Sequence, residues 1–370
     1  MSDNTYRAEI KKLLQAVNAE NGIRPHFARQ LRFLGVQPDQ WYELQTLPPT
    51  SKKKIHEDKY PKARYAFARG LDAGVQLLEY AEENLQKQGL YIIGNKINPA
   101  ATAKADADMW HDGGDGTGTK DSDILCRNVV FIDIDPHRAD GAKNVSATEE
   151  EVKASLEQGY VVYQDFAEIL GSASAMGFGL SGNGVQIPLA LDSLANTPEN
   201  KELCMKLLFV TAALYGKPGV AEVDCTVYDA KRLQPAYGTF KRKGADRPDL
   251  GRKHRRAKFA CPEVVTRLSQ EKLQSLVDTL WGRLTDEQKA AVDAAMKKER
   301  SNGGAARTAV AASSSPDEEN IFKKANAIPV QEVATRLGMG EVPRCPHCEA
   351  AGSKSDTSVK YLEYNIIFIT

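Results

Sequence analysis

Long apolar runs are missing from this 370-residue chain. No stretch approaches the roughly 18 apolar residues a membrane span requires, and no early apolar segment is followed by a small-residue cleavage site. Membrane insertion and secretion are therefore not expected, and a cytoplasmic setting is. Cysteine is scarce, with six in all, too few for a disulfide scaffold. Cys126, Cys204, Cys225 and Cys261 are scattered and read as small buried side chains. Net charge is absent too, with 49 Lys and Arg against 49 Asp and Glu, so the overall charge says nothing about nucleic acid. What remains is 42% hydrophobic and 26% charged. That composition suits a sizeable core, and the length suits two or three domains.

Charge is uneven even though it sums to zero. From Lys241 to Lys258 the chain reads KRKGADRPDLGRKHRRAK, with nine Lys/Arg against two Asp. Such a segment suits contact with phosphates, and it would equally serve as a solvated basic loop. Lys52–Lys54 is a weaker signal of the same kind.

Hydrophobic spacing predicts the elements. Residues 5–19 carry a helical stripe of Ile10, Leu13, Leu14 and Val17, whereas 31–60 show little periodicity. Residues 62–88 read as helix, with Val75, Leu78, Ala81 and Leu85 on one face and Gly89 as the stop; LYIIGN (90–95) reads as a strand. Residues 101–124 are polar, either an insert or a loop at a site. NVVFIDID (128–135) is a strand ended by Pro136. A capping box at Ser146 and Glu149 opens a helix to about Gln158, followed by a short helix at 164–170. Strands are expected at 172–178 and 184–191 around the turn Leu180–Asn183, then a helix at 199–215 and strands at 222–228 and 233–240. Residues 261–299 read as helical, with Val264, Leu268, Leu273, Leu276, Leu280 and Leu284 as apolar positions. Tight strand-to-strand connections imply antiparallel neighbours, so the fold class is α+β with a mixed or antiparallel sheet.

The chemistry concentrates in three places. Strand alternation puts Asp133 and Asp135 on one face of 128–135. Two carboxylates that close repel each other unless a divalent cation such as magnesium or manganese intervenes. A two-metal site recruits another carboxylate, for which Asp224 is the candidate and Glu222 the reserve. Such a site serves nucleotidyl transfer and phosphodiester hydrolysis alike. Second, Ser181-Gly182-Asn183-Gly184 joins two strands as a turn whose backbone N–H groups can cradle an anion, and it also reads as an ordinary hairpin turn. Gln186 follows it as an uncharged donor. Third, Arg232, Lys241, Arg242 and Lys243 place positive charge after Asp224; Tyr237-Gly238-Thr239 offers a hydroxyl and a close backbone approach, and core is the favoured reading of Tyr237.

FIDIDPHR, SGNGVQ and VDCTVYDAKRLQPAYGTFKRKG followed by HRR, with INP and GTKDSDI upstream, together resemble the archaeo-eukaryotic primase superfamily. The likeness is to primase-polymerases of bacterial viruses, plasmids and other mobile elements, over roughly residues 70–258. It implies a catalytic core with an RRM-like sheet beside a smaller N-terminal α/β unit. It also implies template-directed primer synthesis or DNA extension from nucleoside triphosphates. By this likeness Asp133, Asp135 and Asp224 are metal ligands, Ser181 a phosphate ligand, and Arg232 and Lys243 face nucleotide or template. The second motif departs from the pattern, with Gln186 where a histidine contacts nucleotide. Single-stranded DNA is the implied template and a replicative helicase a further partner, in a bacterial or virus-infected cell.

Residues 300–320 have linker composition. After them, IPVQEVATRLGMGEVPRCPHC resembles the start of the zinc-binding domain of bacterial primases. Cys345 and Cys348 have zinc-ligand spacing, but the second pair that a tetrahedral site needs does not follow. The expected organisation is an N-terminal helical region (1–60), a catalytic domain (61–260), a helical segment (261–299), the linker (300–320) and a partial zinc ribbon (321–370). Three functions stay open: a metal-dependent primase-polymerase, a replication-initiation or DNA-binding protein with weak or lost synthesis, and a metal-dependent nuclease.

Overall fold

The computed structural model describes residues 5–48, 62–85, 88–103, 105–113, 118–138, 145–244 and 246–301. All belong to a compact unit, Met1–Arg307; a second unit, Thr308–Thr370, lies outside the described residues. The expectations for Cys345, Cys348, the linker and Lys52–Lys54 therefore fall outside them as well.

In chain order the elements are α1 (Thr5–Asn18), α2 (Arg24–Leu34), β1 (Trp41–Leu47), β2 (Arg64–Arg69), α3 (Gly70–Asn84), β3 (Gly89–Ile93) and β4 (Lys96–Ile97). Then come α4 (Pro99–Thr102), β5 (His111–Asp112), β6 (Ile124–Pro136), α5 (Glu149–Leu170), β7 (Phe178–Leu180), β8 (Val185–Ala195) and α6 (Pro198–Tyr215). β9 (Ala221–Val223), β10 (Leu233–Pro235), β11 (Phe240–Lys241), β12 (Arg255–Arg256), β13 (Lys258–Ala260), α7 (Gln270–Gly282) and α8 (Asp286–Ser301) complete the unit.

Two sheets organise it, and every pairing between these strands is antiparallel. The first runs β10-β3-β1-β2-β5; the second runs β13-β7-β8-β6-β4, with β9 also paired to β6. The class expected from sequence, mixed α and β with antiparallel sheets, is the one found. On the second sheet, period-two alternation sends Val130, Ile132 and Ile134 of β6 and Val185, Ile187 and Leu189 of β8 into one core with residues of α1, α5, α6 and α7. The first sheet packs Leu44, Ala66, Ala68, Leu90 and Ile92 with Phe27, Leu31, Leu34, Val75 and Leu78 of α2 and α3. The opposite faces of the two sheets, bearing Gln45 and Tyr91 on one and Phe131 and Asp133 on the other, line a common cavity.

Several local expectations need correction. Residues 41–47, within a stretch with little periodicity, form β1 at the centre of the first sheet. Their order comes from cross-strand partners, which period counting within one segment cannot register. Residues 64–69 are a strand, not the start of a helix. The helix after β6 is one 22-residue element capped by Thr148 and Glu151. Gly159 does not end it: a Cβ there would lie 2.7 Å from the Cγ1 of Val185, so the glycine permits close helix–sheet packing. Strand β7 begins at Phe178, where 172–178 was expected. Val264, read as a core position, is 75% exposed because α7 starts only at Gln270.

Candidate active site between the two sheets

A single row of residues crosses the second sheet. Gly179 of β7 pairs with Gln186 of β8, and Gln186 pairs with Asp133 of β6. On the far side of β6 the Asp224 N–H donates to the Asp133 carbonyl at 2.8 Å, continuing the pairing of β9 by one residue. The sequence placed Asp224 inside a strand; the strand ends at Val223, and Asp224 opens the turn that follows. Across from this row, Pro235, Tyr91 and Gln45 form a matching row on β10, β3 and β1. Between them lies a cavity of about 340 Å³. Asp133, Asp224, Gln186, Lys241, Arg232 and Asp229 give it polar walls, and Phe131, Val227, Leu47 and Leu233 apolar ones.

Cross-strand neighbours on one face have Cβ atoms roughly 4.5–5.5 Å apart, and like charges so placed destabilise the pair. Asp133 shows the consequence. Burial first, then the charges of Asp135 and Asp224, push its pKa up to about 8. Lys241 and a hydrogen bond from Gln186 work in the opposite direction. Asp224 relieves part of its own charge locally, accepting from the Thr226 N–H at 2.8 Å and the Thr226 hydroxyl at 2.7 Å.

Asp135 shares the strand face of Asp133 but is not part of the cavity wall. It pairs opposite Glu222 rather than Gln186, and its carboxylate is 3.9 Å from the Arg138 guanidinium. Among the described residues no three His, Cys, Asp or Glu side chains gather as a metal site. Among the described residues the expected two-metal cluster of Asp133, Asp135 and Asp224 is thus not assembled, although the Asp135 charge still acts on Asp133. Asp133 and Asp224, adjacent across β6 and the end of β9, have the hard oxygen chemistry and the shared cavity that fit a magnesium or manganese ion, with Asp229 on the same wall held near Arg232.

The turn beside the row is held from within. Ser181 accepts from the Gly184 N–H at 3.0 Å and donates to the Gly184 carbonyl at 3.1 Å, so its hydroxyl closes the turn. Asn183 is buried and accepts from the Ala147 N–H at 3.0 Å. Gly182 has φ +91°, and a Cβ there would meet the Cβ of Lys241 at 2.7 Å. At Gly184 a Cβ would lie 2.5 Å from the Ile134 carbonyl. The glycines let the turn pack on β6 and β11.

Of the four cations expected near the site, two line the cavity. Lys241 donates to the Tyr91 hydroxyl at 3.0 Å and lies over that ring. Burial opposes its charge, but Tyr91 and the Asp133 and Asp135 carboxylates hold its pKa above the ordinary lysine value. Arg232 reaches the Thr226 carbonyl and lies 3.7 Å from Asp229. Arg242 points instead to the Gln88 and Glu82 carbonyls. Lys243 sits outside the cavity wall, and burial lowers its pKa against the pull of Asp135.

Sequence reasoning missed Gln45, Tyr91, Val227 and Asp229, and leaned towards a core role for Tyr237 over a use of its hydroxyl. Tyr237 does stack on Phe259 at 4.7 Å, yet its hydroxyl donates to Gln186 at 2.9 Å. Alternation within LYIIGN does separate Tyr91 from Leu90 and Ile92, but nothing local says which face meets a second sheet.

No family model and no curated protein matches the chain. Among solved structures it is similar to the AEP domain of the primase-polymerase (PrimPol) of cyanophage S-2L, at 15% identity and a TM-score of 0.38. The likeness covers 70% of this chain and 100% of that one. No helix among the described residues is long and apolar enough to cross a membrane.

Proposed function

We propose that this chain is a nucleic-acid-binding replication protein in which template-directed nucleotidyl transfer persists in weak form. The observation that supports it is the placement of Asp133 and Asp224 side by side in one cavity faced by Lys241 and Arg232. Asp133 and Asp224 would hold a magnesium or manganese ion, whose chemistry when bound is to activate an attacking hydroxyl and to neutralise a triphosphate. Lys241 and Arg232 bind the polyphosphate as charge-assisted donors. Phe131, Val227, Leu47 and Leu233 give the base or sugar an apolar wall and exclude water. Weak rather than efficient transfer follows from two features. Asp135 lies outside the cavity wall, and the Ser181 hydroxyl is used within its own turn. Single-stranded DNA and nucleoside triphosphates are the ligands on this reading, and a replicative helicase fits the same role.

The test incubates the protein with single-stranded template, a primer, labelled nucleotides and manganese or magnesium, and measures template binding in parallel. The expected result is template binding with slow incorporation that Asp133→Asn and Asp224→Asn abolish while binding persists. Absence of both binding and incorporation defeats the proposal. Cleavage of the template in place of extension supports the nuclease reading.

A further inference from the structure

Tyr237 reaches the carboxylate row from outside it. Its ring is buried and stacked on Phe259, with an interplanar angle of 14°. Its hydroxyl donates to the Oε1 of Gln186 at 2.9 Å, and Gln186 stands directly opposite Asp133 in the β6–β8 pairing, where its amide counters the upward shift of the Asp133 pKa. An amide has one acceptor end and one donor end. With Oε1 taken by the phenol, the NH2 group is the end left for Asp133. Without that phenol the amide could turn over and present its oxygen to a carboxylate, which is repulsive.

The space for this contact is built into the sheet. Gly179 stands directly opposite Gln186 on β7, and any Cβ at that position would overlap the Tyr237 hydroxyl. A glycine inside a strand weakens it and marks a place where another group approaches closely. Here the group is the phenol.

We infer that Tyr237 is a positioning residue that fixes the Gln186 amide so that Gln186 orients the Asp133 carboxylate, and that Gln186 serves the carboxylates rather than the nucleotide. The inference rests on the nucleotidyl-transfer reading above and refines it. Partners that orient a metal-ligating carboxylate typically change metal affinity or activity about 10–100-fold when removed. A nucleotide contact would change KM instead.

The experiment uses the full chain and compares wild type, Tyr237→Phe, which keeps the ring stack, and Gln186→Met, which keeps the side chain's length but removes the amide that faces Asp133. Manganese binding is measured by electron paramagnetic resonance without nucleotide, and kcat and KM are measured in the extension assay. Both variants are expected to bind manganese about 10-fold more weakly and to lose kcat by a similar factor, with the nucleotide KM within about two-fold of wild type. Tyr237→Phe with wild-type manganese affinity and kcat overturns the positioning role alone. A raised KM at unchanged manganese affinity overturns it in favour of nucleotide contact. A wild type that neither binds manganese nor extends primers overturns the nucleotidyl-transfer reading, and this inference with it.

Discussion

The Asp224 N–H lies 2.8 Å from the Asp133 carbonyl, and that backbone bond sets two carboxylates beside each other, one on β6 and one in the turn just after β9. The fold therefore holds a standing repulsion in its central cleft, moderated by Lys241, Gln186 and Thr226. A protein retains such an arrangement where the charges meet a cation or a substrate, and perturbed carboxylates in a cleft are a recognised mark of functional sites.

The repulsion has a pH signature. Asp133 in the fold titrates near 8, against 3.8 for the ordinary side chain. Between those values the folded chain holds a proton that the unfolded chain releases. This group's contribution to stability is therefore fullest below about pH 4, falls as pH rises, and is lost above about pH 8. In metal-free buffer Asp133→Asn should raise Tm, with a gap over wild type that widens from pH 5 to pH 8.5. Manganese should narrow the gap by stabilising wild type alone. A gap independent of pH defeats this account.

Much of the site was legible in the sequence because strand alternation is local. Asp133 and Asp135 on one face, the turn 181–184 and the following Gln186 all follow from counting by two. The rest depended on pairing between distant segments. Asp135 lies outside the cavity wall, opposite Glu222 of β9, a pairing that no single segment encodes. Tyr91 and Gln45 joined the site through the first sheet, whose central strand β1 came from a stretch without clear periodicity. The helix expected to end at about Gln158 runs through Gly159 to Leu170, because that glycine serves close packing on Val185. α1, with its apolar stripe, and α6 were read close to their bounds, whereas the single helix expected over 261–299 is α7 and α8 with a break between them.

Gly182 tests how tightly the turn is seated. It adopts φ +91°, and a Cβ would also lie 2.9 Å from the Arg255 carbonyl. Gly182→Ala should cost roughly 1–3 kcal/mol from backbone strain and overlap, read as a lowered urea midpoint at unchanged slope. Because the displaced neighbour is Lys241, the variant should also weaken nucleotide binding. Gly171→Ala, at φ +69° with open space around its Cβ, is the control for strain alone. Equal losses of nucleotide affinity in both variants would contradict the contact with Lys241.

Lys241 is the cation best placed for a polyphosphate, held by Tyr91 at 3.0 Å on the cavity wall. Charge-assisted hydrogen bonds contribute roughly 1.5–3 kcal/mol, so Lys241→Met should weaken triphosphate binding about 10–100-fold. Tyr91→Phe removes the hydroxyl but keeps the ring beneath the ammonium, and should weaken it far less. Fluorescent nucleotide titration measures both, and equal effects of the two substitutions would show that the hydroxyl, not the lysine charge, governs binding.

The basic segment 241–258 should bind single-stranded DNA with a smaller salt dependence than its composition suggests. At least five of its nine Lys and Arg residues are in ion pairs: Arg247 with Asp249, Arg252 with Glu151, Lys253 and Arg255 with Glu149, and Arg256 with Glu82. The pair Arg252–Glu151, at 2.8 Å and largely shielded, also anchors the segment to the first turn of α5. Each paired side chain must surrender a carboxylate before it can displace a counterion from DNA. Neutralising phosphates on a single strand gives a slope of about −0.7 per contact in log K against log salt. Nine contacts would give about −6, and the four outside these pairs about −3. Titration between 50 and 300 mM salt (roughly the accessible range) decides between them. Glu149→Gln should steepen the slope by about one contact or more, because Lys253 and Arg255 share that carboxylate and both are released together. A slope near −6 in wild type would show that the acidic first turn of α5 does not restrain the segment.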